Sequence, residues 1–121
     1  MYKRDMDLIR LLLIDLEGEE KTDLSKYDKD RIAYHYQLLI DAGFVKGEVH
    51  WILKRMSQEY TAGAISLQYT TWQGHEFLDN ARNEKVWRKA LNTISEKVGS
   101  GSLQILTGLL QAYLQQEVGL S

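Results

Sequence analysis

Apolar residues recur at three- and four-residue steps from the start of the chain. Met6, Ile9, Leu12, Leu13 and Leu16 share one face, which predicts a helix over 4–17. Asp5 and Asp7 stand where the positive end of its dipole favours acids, and Gly18 is a natural stop. The segment GEEKTDLSKYDK that follows is a polar connector with Leu24 and Tyr27 as its anchors. The chain is organised around 28–47, DKDRIAYHYQLLIDAGFVKG. At about 100° per residue, Ile32, His35, Tyr36, Leu39, Ala42 and Gly43 fall on one side, flanked by Ala33, Leu38 and Ile40. Asp30, Tyr34, Gln37 and Asp41 make the opposite strip. A helix ending on a left-handed Gly43 and passing into a strand near Phe44 is expected.

The period then changes to two. Val49, Trp51 and Leu53 alternate with polar neighbours, as do Ile65, Leu67 and Tyr69, predicting paired strands joined by an extended loop through RMSQEYTAG. Thr70 or Thr71 caps a helix to about 82, with Trp72, Phe77 and Leu78 as core contacts. Gly74 inside it costs about 1 kcal/mol relative to Ala, which a close approach of helix and sheet would explain. Val86, Trp87, Ala90, Leu91, Ile94 and Val98 form a stripe over 84–98. After Gly99, Ser100 and Gly101, Ser102 can cap a last helix over 102–118. Its leucine-rich face needs more than one neighbour, either the domain core or a second copy of the chain.

The 121 residues suit a single domain, 1–121, with a core at about 1–82 followed by a helical pair. Cysteine is absent, which excludes disulfides, thiolate metal sites and cysteine nucleophiles. Asp5, Asp7, Arg10 and Asp15 interrupt the first apolar run, so it does not match a signal peptide, and no stretch approaches the roughly 18 apolar residues of a membrane span. A cytoplasmic protein without a membrane partner is expected. The net charge of −2 argues mildly against a dedicated nucleic-acid binder. Charge is uneven, however: 1–20 carry three basic against six acidic residues, and 21–55 seven basic against five acidic. Any cationic surface should come from the middle of the chain.

The order helix, connector, helix ending in Ala-Gly, two strands with a wing, helix opened by Thr is that of a winged helix-turn-helix domain. Three pieces, KRDMDLIR at 3–10, IAYHYQLLIDAGFV at 32–45 and TTWQGHEFLDNAR at 70–82, resemble an uncharacterised domain-of-unknown-function family of small winged-helix proteins of bacteria and their phages. The prophage-associated YjcQ family is similar in layout. The resemblance covers most of the chain and implies an α+β fold, a winged helix-turn-helix core with a C-terminal helical pair. It brings no activity, substrate or catalytic residue with it. The chain departs from regulators of that fold at 19–27, where the usual second helix is short or missing.

Two functions are open. One is a phage- or mobile-element-linked DNA-binding or transcription-accessory factor. Lys29 and Arg31 at the helix start, Lys54 and Arg55 at the base of the wing, and Lys26 would contact phosphate of double-stranded DNA, with Tyr34 and Gln37 reaching bases. Asp28, Asp30 and Asp41 on the same helix oppose this. The other is a protein-interaction module or phage structural component that forms a homodimer through Leu103, Leu106, Leu110, Tyr113 and Leu114.

The remaining side chains of chemical interest have structural readings. His35 is expected to be partly buried and bonded to the backbone, with a pH switch or ligand contact as the alternative. The run HEFLD has Asp79 where a zinc protease motif needs His, so His75 and Asp79 are expected as a local helix pair and not a metal site. Trp51, Trp72, Trp87, Tyr36 and Tyr69 are expected in the core; a platform for stacking bases would need exposed aromatics beside a basic groove. No phosphate loop, nucleophile elbow or carboxylate pair is present, so no catalytic residue, cofactor, metal or small-molecule substrate is expected, and the chain is not expected to be an enzyme.

Overall fold

Short polar side chains start the helices. The Asp5 carboxylate accepts the N–H of Leu8 at 3.1 Å and opens α1 (Met6–Glu17), which ends on Gly18 in the left-handed region at φ 73°. Asp28 accepts from Arg31 N–H at 2.8 Å and opens α2 (Lys29–Asp41). Gly43, at φ 81°, turns the chain out of that helix as expected. Phe44 N–H donates back to the Leu39 carbonyl at 2.9 Å, closing the helix end before strand β1 (Val45–Leu53). Strand β2 (Tyr60–Thr70) pairs with it antiparallel. Thr71 accepts from Gly74 N–H at 3.2 Å and opens α3 (Trp72–Ala81). Asn83 accepts from Val86 N–H at 3.1 Å and opens α4 (Glu84–Lys97), and α5 (Leu103–Glu117) follows.

The computed structural model describes residues 3–18, 20–97 and 103–117, with the side chains of 95–97, 103, 104 and 117 excepted. The fold is mixed α+β, with five helices and one two-stranded sheet among the described residues. Val98 and Ser102, expected at two helix ends, lie outside the described residues. The chain forms two compact units, 1–75 and 76–121, and the division falls inside α3.

In the first unit α1 buries Leu8, Ile9, Leu12, Leu13 and Ile14, and α2 buries Ala33, His35, Tyr36 and Leu39. Val45, Val49 and Ala62 are the buried apolar residues of the hairpin. Met6, Leu16 and Ile32, expected in the core, are only half-buried. At Gly74 an added Cβ would lie 2.1 Å from the Phe44 carbonyl oxygen, so the close approach that this glycine suggested is real.

The hairpin corrects two expectations. Its strands stay paired to Leu53↔Tyr60, so the connection is 54–59 only, not a long loop to Gly63. Lys54 N–H donates to Glu59 O at 2.7 Å and Gln58 N–H to Lys54 O at 2.9 Å, with Gln58 at φ 59°. The register also slips at two bulges. Lys46 faces Tyr69 but Gly47 faces Leu67, leaving Gln68 as the extra residue. A bulge inverts the alternation beyond it, and Tyr69 is 56% exposed instead of buried. Trp72, also expected in the core, is 76% exposed. It lies on the side of α3 opposite Gly74, Phe77, Leu78 and Ala81, at about 100° per residue.

In the second unit Phe77 meets Trp87 edge to face, ring centres 6.2 Å apart. Val86, Trp87, Ala90 and Ile94 of α4 are buried, and α4 packs along α5. Thr93 Oγ1 lies 2.9 Å from the Tyr113 hydroxyl, and Lys89 Nζ sits 4.4 Å from the centre of the Tyr113 ring.

Candidate nucleic-acid interface

Asp30 joins the start of α2 to the hairpin. Its Oδ1 accepts the N–H of Ala62 at 2.8 Å and the hydroxyl of Thr61 at 2.9 Å. The Ala62 N–H, then the Thr61 hydroxyl, hold its carboxyl below the usual carboxylate range against the opposing effect of burial; the Lys54 and Lys29 cations add to this. The two lysines belong to different elements, Lys29 to the helix start and Lys54 to the hairpin turn. The other acids on this helix are also held: Asp28 caps α2, and Asp41 accepts from Gln37 Nε2 at 2.9 Å.

The cations selected from the sequence do not all face the same way. Lys26, Lys29, Lys54 and Arg55 are exposed. Lys26 Nζ lies 5.2 Å over the Tyr27 ring. Arg31 stands 5.8 Å from the same ring and 3.6 Å from the Asp5 carboxylate, so its charge is turned toward α1 and partly neutralised.

Tyr34 and Gln37 are not an open reading edge. Along α2 only Lys29 and Asp41 are exposed. Tyr34 meets His35 edge-on at 5.5 Å, and Gln37 accepts from Trp51 Nε1 at 3.5 Å while donating to Asp41. With Asp30, these two line a cleft of about 690 Å³ whose other wall is the hairpin, through Trp51, Lys54, Glu59 and Tyr60. Glu59 and Tyr60 were hidden from sequence reading by the assumed long loop. Placing the turn at 54–59 puts Tyr60 two residues from Ala62 on the strand, and so on the same face.

The hairpin also exposes Ile52, Leu53, Met56 and Tyr60, the last at 64%. By contrast Leu106 and Leu110, expected to meet a second copy, are fully buried within one chain, which removes them from any such surface. Tyr113 and Leu114 are half-buried, and the Leu103 side chain lies outside the described residues.

His35 matches its expected role. It is fully buried, its Nε2 accepts the Asp5 N–H at 2.8 Å, and its Nδ1 lies 2.8 Å from the Arg31 carbonyl. Burial pushes its pKa down, opposed by the Arg31 carbonyl and the Asp5 charge. Tyr36 is pushed up to about 12, by burial first and then by the Asp15 charge. His75 does not pair with Asp79: its Nδ1 is 2.8 Å from Glu17 Oε1, and Asp79 lies 3.9 Å from Arg82. No helix among the described residues is long and apolar enough to cross a membrane.

Comparison with known proteins gives kinship. A protein of Haemophilus influenzae described as "Uncharacterized protein" is 31% identical over 121 residues, spanning 94% of this chain and 97% of its own. No solved structure matches. The family described as "Hypothetical protein (DUF2513)" matches residues 3–100, and the chain belongs to that family.

Proposed function

We propose that the chain is a nucleic-acid-binding module of winged-helix type, gripping the phosphate backbone of double-stranded DNA with the start of α2 and the hairpin turn. The setting implied by the resemblance is an accessory or regulatory role in a phage or mobile element. The observation that carries the proposal is that exposed Lys54 of the hairpin turn lines one cleft with Asp30 at the start of α2, where Lys29 precedes it, with exposed Lys26 and Arg55 close by in sequence. The acids on α2 keep their charge and oppose phosphate, but each is tied into the fold, by a helix cap, by the hairpin and by Gln37. Backbone contact without an exposed reading face means weak sequence preference and strong salt dependence.

The test is titration of a labelled mixed-sequence duplex at several salt concentrations. Four phosphate contacts give a slope of log affinity against log salt of about −3 to −4, and a Lys54→Ala, Arg55→Ala double variant should lose about two units of it. Absence of binding at 50 mM salt, roughly the low end of the usual range, would overturn the proposal. A second reading, a protein-interaction module, is favoured by the exposed large apolar side chains Ile52, Leu53 and Met56 at the hairpin end, which a partner could cover. In that reading the hairpin and not α5 is the contact.

A further inference from the structure

We infer that the cleft between α2 and the hairpin is a subsite for one unpaired nucleotide of single-stranded DNA, its base stacked among Tyr34, Trp51 and Tyr60 and its phosphate on Lys54. This rests on the nucleic-acid reading above and deepens it. The cleft holds about 690 Å³, within the range of roughly 300–1,000 Å³ of pockets that enclose small ligands. Three of its lining side chains are aromatic, and single strands are held by base–aromatic stacking beside cations. Tyr60 is largely exposed although it lies in a paired strand, so its ring is available to a ligand at the cleft mouth. Lys54 lines the same cleft together with the acids Asp30 and Glu59, and Arg55 follows it on the turn, so these two cations are the groups a sugar–phosphate chain leaving the cleft would meet. Within this largely apolar lining, Gln37 and Asp30 supply hydrogen-bonding groups that a base edge can use. Gln37 is fixed there by Asp41 and Trp51, and Asp30 by Thr61 and Ala62, so their positions are set before any ligand arrives. A base in a duplex is stacked on both faces and cannot enter, which makes the cleft selective for unpaired DNA.

The test uses the full chain and a fluorescein-labelled 15-nucleotide mixed-sequence strand, alone and annealed to its complement, at low salt. Tyr60→Ala is the informative variant because an exposed side chain can be removed with little effect on the fold. Its single-strand affinity should fall about tenfold, within the range known for loss of one stacking partner, while Tyr60→Phe stays within about twofold of wild type. Duplex affinity should change by less than about twofold in both. Unchanged single-strand affinity in Tyr60→Ala, with duplex binding and its salt dependence intact, overturns the nucleotide subsite and leaves the proposed function standing. Equal losses on single strand and duplex also overturn the subsite. Absence of binding to either form by the wild-type chain overturns both proposals and directs the hairpin to a protein partner.

Discussion

The main-chain N–H of Asp5 donates to Nε2 of His35 at 2.8 Å, across thirty residues of sequence. That contact fixes the tautomer: Nε2 is the acceptor, so the proton sits on Nδ1, which donates to the Arg31 carbonyl. Both ring nitrogens are thus used in the neutral form, and a second proton would set an N–H against an N–H. With the folded pKa below the ordinary 6.5, the unfolded chain takes up the proton first. The contribution of His35 is complete above about pH 6.5 and is lost as pH falls toward the lowered folded pKa. Urea midpoints should therefore decline on acidification through that window. His35→Ala should cost about 2–3 kcal/mol at pH 7.5, by leaving buried partners unmatched, and should flatten the decline. A decline of the same size in the variant would assign it to other groups.

Two glycines in helices make a matched pair with opposite outcomes. Gly74→Ala places a Cβ 2.1 Å from the Phe44 carbonyl oxygen and 2.7 Å from the side-chain Cγ2 of Thr70, and the Phe44 backbone cannot yield without opening the start of α3. A loss of about 2–3 kcal/mol is expected, larger than the helix-propensity gain of about 1 kcal/mol. Gly108 on α5 has nothing among the described residues within 4 Å of its added Cβ, so Gly108→Ala should gain up to about 1 kcal/mol. Thermal unfolding of the two variants against wild type decides it; stabilisation by Gly74→Ala would contradict the close packing of α3 on Phe44.

Much of the helical frame was legible because its signals are local. Gly18, Gly43 and Thr71 act through bonds to residues within a few positions, and the apolar steps of α1 and α4 need no knowledge of their partners. The hairpin was less legible because strand pairing is not local. One extra residue at Gln68 moves Tyr69 to the opposite face, and nothing in the alternation announces it. The candidate site suffered from the same blindness. Asp30, Tyr34 and Gln37 were placed correctly on one strip of α2, but the strip was taken as outward. Only the register that brings Thr61 and Ala62 against Asp30 shows that the hairpin covers it. On α5 the breadth of the leucine face was visible, but not which of its leucines the chain itself would bury.

That distinction can be measured on α5. Leu110 is fully buried and Ile105 is 43% exposed. Leu110→Ala should cost about 2–5 kcal/mol, the range for emptying a core leucine site, and Ile105→Ala about 0.5 kcal/mol or less. If Leu106 and Leu110 serve the single chain, the unfolding midpoint should not move with protein concentration over a hundredfold range, roughly enough to shift a dimer visibly. A midpoint that climbs with concentration, and a larger loss in Ile105→Ala than in Leu110→Ala, would restore a dimer face on this helix.

Asp30 separates folding from binding. Its carboxylate satisfies the N–H of Ala62, a residue only 2% exposed, and Asp30→Ala would leave that donor in the hairpin without its acceptor. A cost of about 1–3 kcal/mol follows, seen as faster hydrogen exchange at the Ala62 amide. Asp30→Asn keeps a carbonyl oxygen at the same place and should cost less. Because the folded carboxyl lies below its ordinary 3.8, its stabilisation is complete above that pH and is lost as pH falls toward the lowered value. The binding effect runs the other way. Asp30→Asn removes a negative charge from between Lys29 and Lys54, so duplex affinity at low salt should rise by about two- to fivefold, in line with one unit of charge near a phosphate path. Asp30→Ala should show the same gain only insofar as the hairpin stays ordered. A fall in duplex affinity for Asp30→Asn, with Ala62 exchange unchanged, would mean that the two lysines do not meet phosphate across this carboxylate, and would remove the observation on which the proposed function stands.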